Sequence, residues 1–186
     1  HRACVWACAD MDARVARGVK EKLGVASADV EGLADASYDL PDGKKLTVTA
    51  AHRARMADPL FEPMLVGEAC GGLTQLVGDC IKLRDRDGVL QSEQFGKDGT
   101  ALWYQNVVLA GGSSLFPGIA KRLEGELLTR APKGATPTVH APADREHAAW
   151  VGGAILGSLA VMDQMWITKE EYDENGPLIV HRKCLF

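Results

Sequence analysis

The segment NVVLAGGSSLFPGIAKRLEGELLTR, from Asn106 to Arg130, constrains the fold of this chain more than any other. Val107, Val108 and Leu109 form a short apolar run without polar alternation, the pattern of a strand covered on both faces. A double glycine breaks the run, and Ile119, Leu123 and Leu127 then recur at helical spacing. Strand, turn and helix in immediate succession predict a sheet with helices packed on it, so the fold class is α/β. At the turn, Gly111, Gly112, Ser113 and Ser114 place bare backbone at a helix N-terminus, where a ligand can be met by N–H groups. Two glycines at such a turn more often serve backbone geometry alone, so this motif needs support from elsewhere in the chain.

Upstream, Met11, Val15, Val19 and Leu23 recur every four residues, with Asp10 as an N-cap and Gly24 as a stop, which predicts an amphipathic helix. Ser37 to Thr49 reads as a hairpin turned at Pro41-Asp42-Gly43. Residues 51–57 read as a short helix ended by Pro59, and LFEPMLVGEACGG as a contact-making loop without a periodic face. Leu73, Leu76, Val77, Cys80 and Ile81 restore helical spacing, and the polar stretch at about residues 84–101 reads as a surface insertion. Pro132 to Pro137 is a linker and Thr138 to His140 a strand. His147 to about Met165 is a long apolar helix expected in the core, because Trp150, Ile155, Leu156, Leu159, Val161, Met162 and Met165 cover more than one face. Thr168 and Glu171 have capping-box spacing, and Gly176-Pro177 should close that last helix.

Composition narrows the function. The 186 residues are 46% hydrophobic and 25% charged, a balance suited to a packed domain. A net charge of −4 provides no broad basic field, so neither nucleic acid nor a membrane surface is expected as a partner. The uncharged run Ala148 to Met162 falls short of the roughly 18 to 20 residues that cross a bilayer. The opening HRACVWACADMD lacks the plan of a signal peptide, and the chain reads as part of a longer one. Five cysteines without a CxxC pair support neither a disulfide framework nor a metal site, and fit a reducing compartment. Five scattered histidines form no nucleophilic arrangement and no Walker-type loop is present, so no catalytic residue is assigned. Arg17, Lys20 and Glu21 share a helix face, which by itself reads as a solvated, ion-paired surface.

A resemblance gives these motifs a common frame. WVGGAILGSLAVMDQMWITKEEYDENGPLIVHRKCLF, from Trp150 to Phe186, resembles the C-terminal stretch of the actin family almost position for position. NVVLAGGSSLFPGIAKRL is similar to that family's double-glycine segment, SYDLPDGK to its hairpin and RGVKEKL to its adenine-side helix, so the likeness runs over about residues 12–186. It implies a partial actin-like ATPase (ribonuclease H-like) fold, C-terminal half only, of the two-lobed α/β architecture shared with heat-shock chaperone ATPases. Residues 1–36 would be a helical part of the larger lobe on the adenine side. Residues 37–146 would be the core of that lobe, with the insertion at about 84–101, and residues 147–186 the C-terminal helices returning to the smaller lobe.

The same resemblance implies ATP or ADP with Mg2+ as cofactor, other actin protomers and actin-binding proteins as partners, and a cytoplasmic, cytoskeletal location. Matched motif by motif, Arg17, Lys20 and Glu21 would border the adenine and ribose. Gly111, Gly112, Ser113, Leu115 and Phe116 would form the opposite wall, and Glu146 falls where the family has a lysine beside the base. Leu156, Leu159, Val161 and Met165 match one side of a target-binding groove, and LFEPMLVGEACGG an apolar plug between protomers. The family's phosphate hairpins and water-positioning residues lie in its N-terminal half and match nothing here, so this chain alone is expected not to hydrolyse ATP. An alternative is a non-polymerising actin-related interaction module or a non-functional fragment, favoured by the insertion and by Glu146. A sheet cut in this way would leave Val107 to Leu109 with unpaired backbone and bare apolar surface.

Overall fold

A computed structural model describes residues 12–27, 32–86 and 99–184. Helix α1 (Ala13–Leu23) is capped by Asp12, whose carboxylate accepts the Arg14 N–H at 2.9 Å. Asp10, the expected cap, lies with Met11 outside the described residues. The helix ends where Gly24 turns to an extended backbone, and glycine is needed there because a Cβ would run into the Phe116 ring and the Lys20 carbonyl. Strands β1 (Ala36–Asp39) and β2 (Lys45–Val48) form the expected hairpin, with Tyr38 opposite Leu46 and Gly43 turning the chain at φ 80°. Tyr38 lies against Gly18 of α1, where no side chain would fit, and the Lys22 ammonium sits 5.3 Å from the Tyr38 ring centre. The hairpin thereby braces α1.

Helix α2 (Ala50–Arg55) starts at Thr49, and α3 (Asp58–Phe61) follows almost at once. Pro59 does not end the first of these, as expected. It occupies the opening turn of α3, where its missing N–H leaves no gap in the helical hydrogen bonds. Arg53 stitches this region together: its side chain donates to the carbonyls of Leu23 (2.9 Å) and Ala34, and its own carbonyl accepts the Val25 N–H at 3.1 Å. A 3-10 turn, Pro63–Val66, then closes on Gly67 in the left-handed region.

Helices α4 (Leu73–Arg86) and α5 (Gly99–Gln105) flank the expected insertion, so its two edges are helical, while residues 87–98 lie outside the described residues. On α4 the expected apolar face is narrower than the spacing suggests: Ile81 is buried, whereas Leu76 and Cys80 face solvent. Strands β3 (Val107–Val108) and β4 (Val139–His140) pair in parallel. The run at β3 is not covered on both faces. Val108 is 65% exposed, and among the described residues β4 is the one strand that pairs with β3. Leu109 turns into the core, and the Val139 N–H on the outer side of β4 is taken by the Glu124 carboxylate at 2.8 Å.

Helix α6 (Ile119–Leu128) is the centre of the core. Ile119, Leu123 and Leu127 are buried as their spacing predicts, together with Phe61, Ile81, Tyr104 and Val139. Arg122, on the flank of α6, donates to Asp58 at 2.7 Å and to Glu126 at 3.1 Å, and lies 4.1 Å from the Phe61 ring centre. The Thr74 hydroxyl donates to the other Glu126 oxygen at 2.7 Å, so one polar network ties α3, α4 and α6 together.

The C-terminal part departs most from expectation. Instead of one buried helix from His147 to Met165, α7 (Ala148–Gly157) and α8 (Ala160–Asp163) are separated at Ser158-Leu159. The Ser158 hydroxyl and N–H both return to α7 carbonyls and end that helix. No residue of α7 is buried, and Trp150 is 75% exposed. Its apolar side chains encircle the helix, and no other described element covers them. Helix α9 (Lys169–Asn175) has the expected capping box between Thr168 and Glu171. Gly176 ends it, yet α9 is not the last helix: the 3-10 turn Gly176–Leu178 leads into α10 (Ile179–Lys183). The Lys183 ammonium ties α10 back to Glu171 at 2.6 Å and to the Trp166 carbonyl at 2.8 Å. No described helix is long and apolar enough to cross a membrane.

Candidate functional site

Two short pieces of chain, distant in sequence, face each other across an open cleft. The first wall is α1, whose outer turns carry Arg17, Lys20 and Glu21. The second is the turn after β3, where the 3-10 segment Gly112–Leu115 leads to Phe116. Their spacing is fixed at one end: the Ala26 N–H donates to the Pro117 carbonyl at 2.8 Å, and Phe116 lies against Gly24. A Cβ at Gly24 would meet the Phe116 ring and the Lys20 carbonyl, so the close approach of the walls there depends on glycine.

Gly111 starts the second wall at φ 89°, in the left-handed region that favours glycine, and its N–H donates to the Arg145 carbonyl at 2.8 Å. Ser114 is buried, with its hydroxyl donating to the Gly111 carbonyl at 2.7 Å. Arg145 then clamps the turn from outside. Its guanidinium donates twice to the Ser114 carbonyl, at 3.1 and 3.0 Å, and once to Pro142 at 2.8 Å. This clamp sets the neighbouring Glu146 at the cleft. Sequence reasoning passed over Arg145, and no local pattern signals it, because the turn carbonyl it clamps, that of Ser114, is 31 positions away.

The cleft has a volume of about 770 Å³ and is lined by Arg17, Lys20, Glu21, Gly112, Ser113, Leu115, Phe116 and Glu146. That volume lies in the range of small-molecule sites. Gly111, also singled out from the sequence, is not on the lining; it turns the backbone behind it. Leu156, Leu159, Val161 and Met165 belong to a separate surface, 55%, 44%, 60% and 38% exposed on and around α7 and α8. Cys70, Cys80 and Cys184 are free thiols, while Cys4 and Cys8 fall outside the described residues.

The charges on the lining are arranged in two ways. Arg17 Nε donates to Glu21 Oε1 at 2.7 Å, the helical ion pair expected of this face. The Arg17 hydrogen bond holds the Glu21 carboxyl below its usual range, and Glu21 in turn raises the Arg17 guanidinium, with the Glu146 charge adding to it. The Glu146 and Lys20 side chains, by contrast, have no hydrogen bond or ion pair among the described residues. Arg17 and Lys20 against Glu21 and Glu146 leave the lining formally neutral. Leu115 and Phe116 add apolar surface between these polar groups. The arrangement suits a flat, largely uncharged ligand with polar edges better than a polyanion. Among the described residues no group of three or more His, Cys, Asp or Glu side chains is placed to hold a metal ion.

Compared with models of known protein families, residues 9–185 match the one described as Actin. The match takes in both walls of the cleft, the core around α6 and the C-terminal helices, so the chain belongs to the actin family.

Proposed function

We propose that the cleft between α1 and the Gly111–Phe116 turn receives the adenosine end of an adenine nucleotide, ATP or ADP. The observation that carries this reading is the convergence of Arg17, Lys20 and Glu21 with Gly112, Ser113, Leu115, Phe116 and Glu146 around one cleft of about 770 Å³. The residues fit a nucleoside: Leu115 and Phe116 offer apolar surface to a planar base, while Ser113, Lys20 and Glu146 offer hydrogen-bonding groups to its edges and to a ribose. They do not fit a triphosphate. A formally neutral lining gives no net attraction to the phosphates, and in-line phosphoryl transfer depends on concentrated positive charge. Bound ATP would supply the transferable phosphoryl group, and the residues that grip it would come from polypeptide other than these walls.

A calorimetric titration of the chain with adenosine, ADP and ATP, each with and without Mg2+, tests this reading. All three should bind with a dissociation constant on the order of 1 mM, about 4 kcal/mol, irrespective of the metal. Tight ATP binding that requires Mg2+ contradicts it.

Within the actin family the chain's role is then cytoskeletal and cytoplasmic, with protomers of its own kind and actin-binding proteins as partners. A second reading, a non-polymerising interaction module, draws on the bare apolar surface of α7 and α8, where Trp150, Ile155, Leu156 and Val161 are all more than half exposed. Sedimentation with and without an added N-terminal half separates the two. Filaments containing this chain exclude the second reading; a chain that stays in the supernatant in both cases excludes the first.

A further inference from the structure

We infer that Glu146 is a specificity-determining residue of the cleft, accepting a hydrogen bond from an amino group on the nucleobase; this rests on the nucleoside reading given above. Four charged side chains line the cleft, and two of them are already engaged with each other through the 2.7 Å Arg17–Glu21 pair. Glu146 and Lys20 remain, one acceptor and one donor, each side chain without a hydrogen bond or ion pair among the described residues. Glu146 is held in place from behind: the adjacent Arg145 makes three hydrogen bonds to carbonyls of the turn and the preceding loop, and its own carbonyl accepts the Gly111 N–H. The backbone that carries this carboxylate is thus held, and the exposed carboxylate itself, lining the same cleft as Leu115 and Phe116, is an acceptor available to a ligand.

An ionised carboxylate accepts and never donates. A base edge bearing an N–H donor is therefore favoured at Glu146, and an edge bearing only lone pairs is repelled. Among purine nucleosides this favours the 6-amino group of adenosine over purine riboside, which carries hydrogen at that carbon. Arg17 acts on Glu146 through its charge and makes no hydrogen bond to it, its Nε donating to Glu21 instead, which leaves the Glu146 oxygens open to a ligand's donor.

The experiment measures adenosine and purine riboside binding to the full chain by NMR titration, for the unaltered protein and for Glu146→Ala, Glu146→Gln and Lys20→Ala. Adenosine should bind about fivefold more tightly than purine riboside, which is about 1 kcal/mol at tenfold per 1.4 kcal/mol. Glu146→Ala should bring the ratio to about one, and Glu146→Gln, which keeps a neutral acceptor, should retain part of it. Lys20→Ala should weaken both nucleosides and leave the ratio in place. Both nucleosides binding with a ratio that Glu146→Ala does not change overturns this inference and leaves the nucleoside reading intact. Neither nucleoside binding to the unaltered chain overturns the nucleoside reading, and this inference with it.

Discussion

Arg122 is the side chain on which the packing of three helices turns, and its removal gives the sharpest test of the core. Its side chain is only 10% exposed, and it holds Asp58, itself 20% exposed, at 2.7 Å. Burial opposes the charge on the guanidinium, but the hydrogen bonds to Asp58 and Glu126 outweigh it and hold the pKa above the usual arginine value. Arg122→Met keeps an aliphatic stem but deletes the charge, and with it the guanidinium that lies over Phe61. Breaking a buried pair by removing one partner costs about 3 to 5 kcal/mol. Here neither carboxylate is fully stranded, because Asp58 keeps Arg55 at 3.6 Å and Glu126 keeps the Thr74 hydroxyl. The cost should therefore fall at the lower end, about 3 kcal/mol. Urea unfolding followed by far-ultraviolet circular dichroism should show a lower midpoint at unchanged slope. Asp58→Asn combined with Arg122→Met should cost less than the sum of the two single changes. A loss below about 1 kcal/mol, or strict additivity, would refute the argument that this network carries the α3, α4 and α6 contact.

Three further outcomes are expected. Leu123→Ala empties a position with no exposed surface and should cost about 2 to 5 kcal/mol in the same unfolding assay. Gly24→Val forces a side chain into the Phe116 ring; it should cost about 1 to 3 kcal/mol and also lower adenosine affinity, because the two walls separate. Glu171 has its pKa lowered from the ordinary 4.5, chiefly by the Lys183 hydrogen bond and then by the Thr168 N–H. Its stabilisation of the C-terminal helices is therefore present above that ordinary value and is lost as pH falls through the lower folded value, so acid should melt α9 and α10 less steeply in Glu171→Gln than in the unaltered chain.

Local chemistry explains what was readable in the sequence. Gly43 must turn the hairpin, Thr168 and Glu171 must cap a helix, and Ile119, Leu123 and Leu127 must share a buried face; each follows from residues within a few positions of one another. The misread elements depend on what lies elsewhere. Proline at position 59 is equally suited to stopping one helix or starting the next, and only the placement of Phe61 in the core decides between them. The apolar circumference of α7 states that something should cover it, but periodicity does not say what, and the described residues leave Trp150 bare. Val107 and Val108 read as a doubly covered strand for the same reason, although one neighbour, β4, is present among the described residues. At the cleft, the motif on α1 and the motif at Gly111-Gly112 were each weak alone. Their proximity comes from the 24–27 segment packing on Phe116 and Pro117, a long-range contact invisible to spacing, and Arg145 is hidden in the same way.

Where adenosine touches the protein decides whether these two walls form a nucleoside site. Backbone amide spectra recorded during an adenosine titration should show shifts concentrated at Arg17, Lys20, Glu21, Gly112, Ser113, Leu115, Phe116 and Glu146, the two walls responding together with one dissociation constant. Shifts gathered instead on α7 and α8, or no shifts at all at millimolar adenosine, would contradict it.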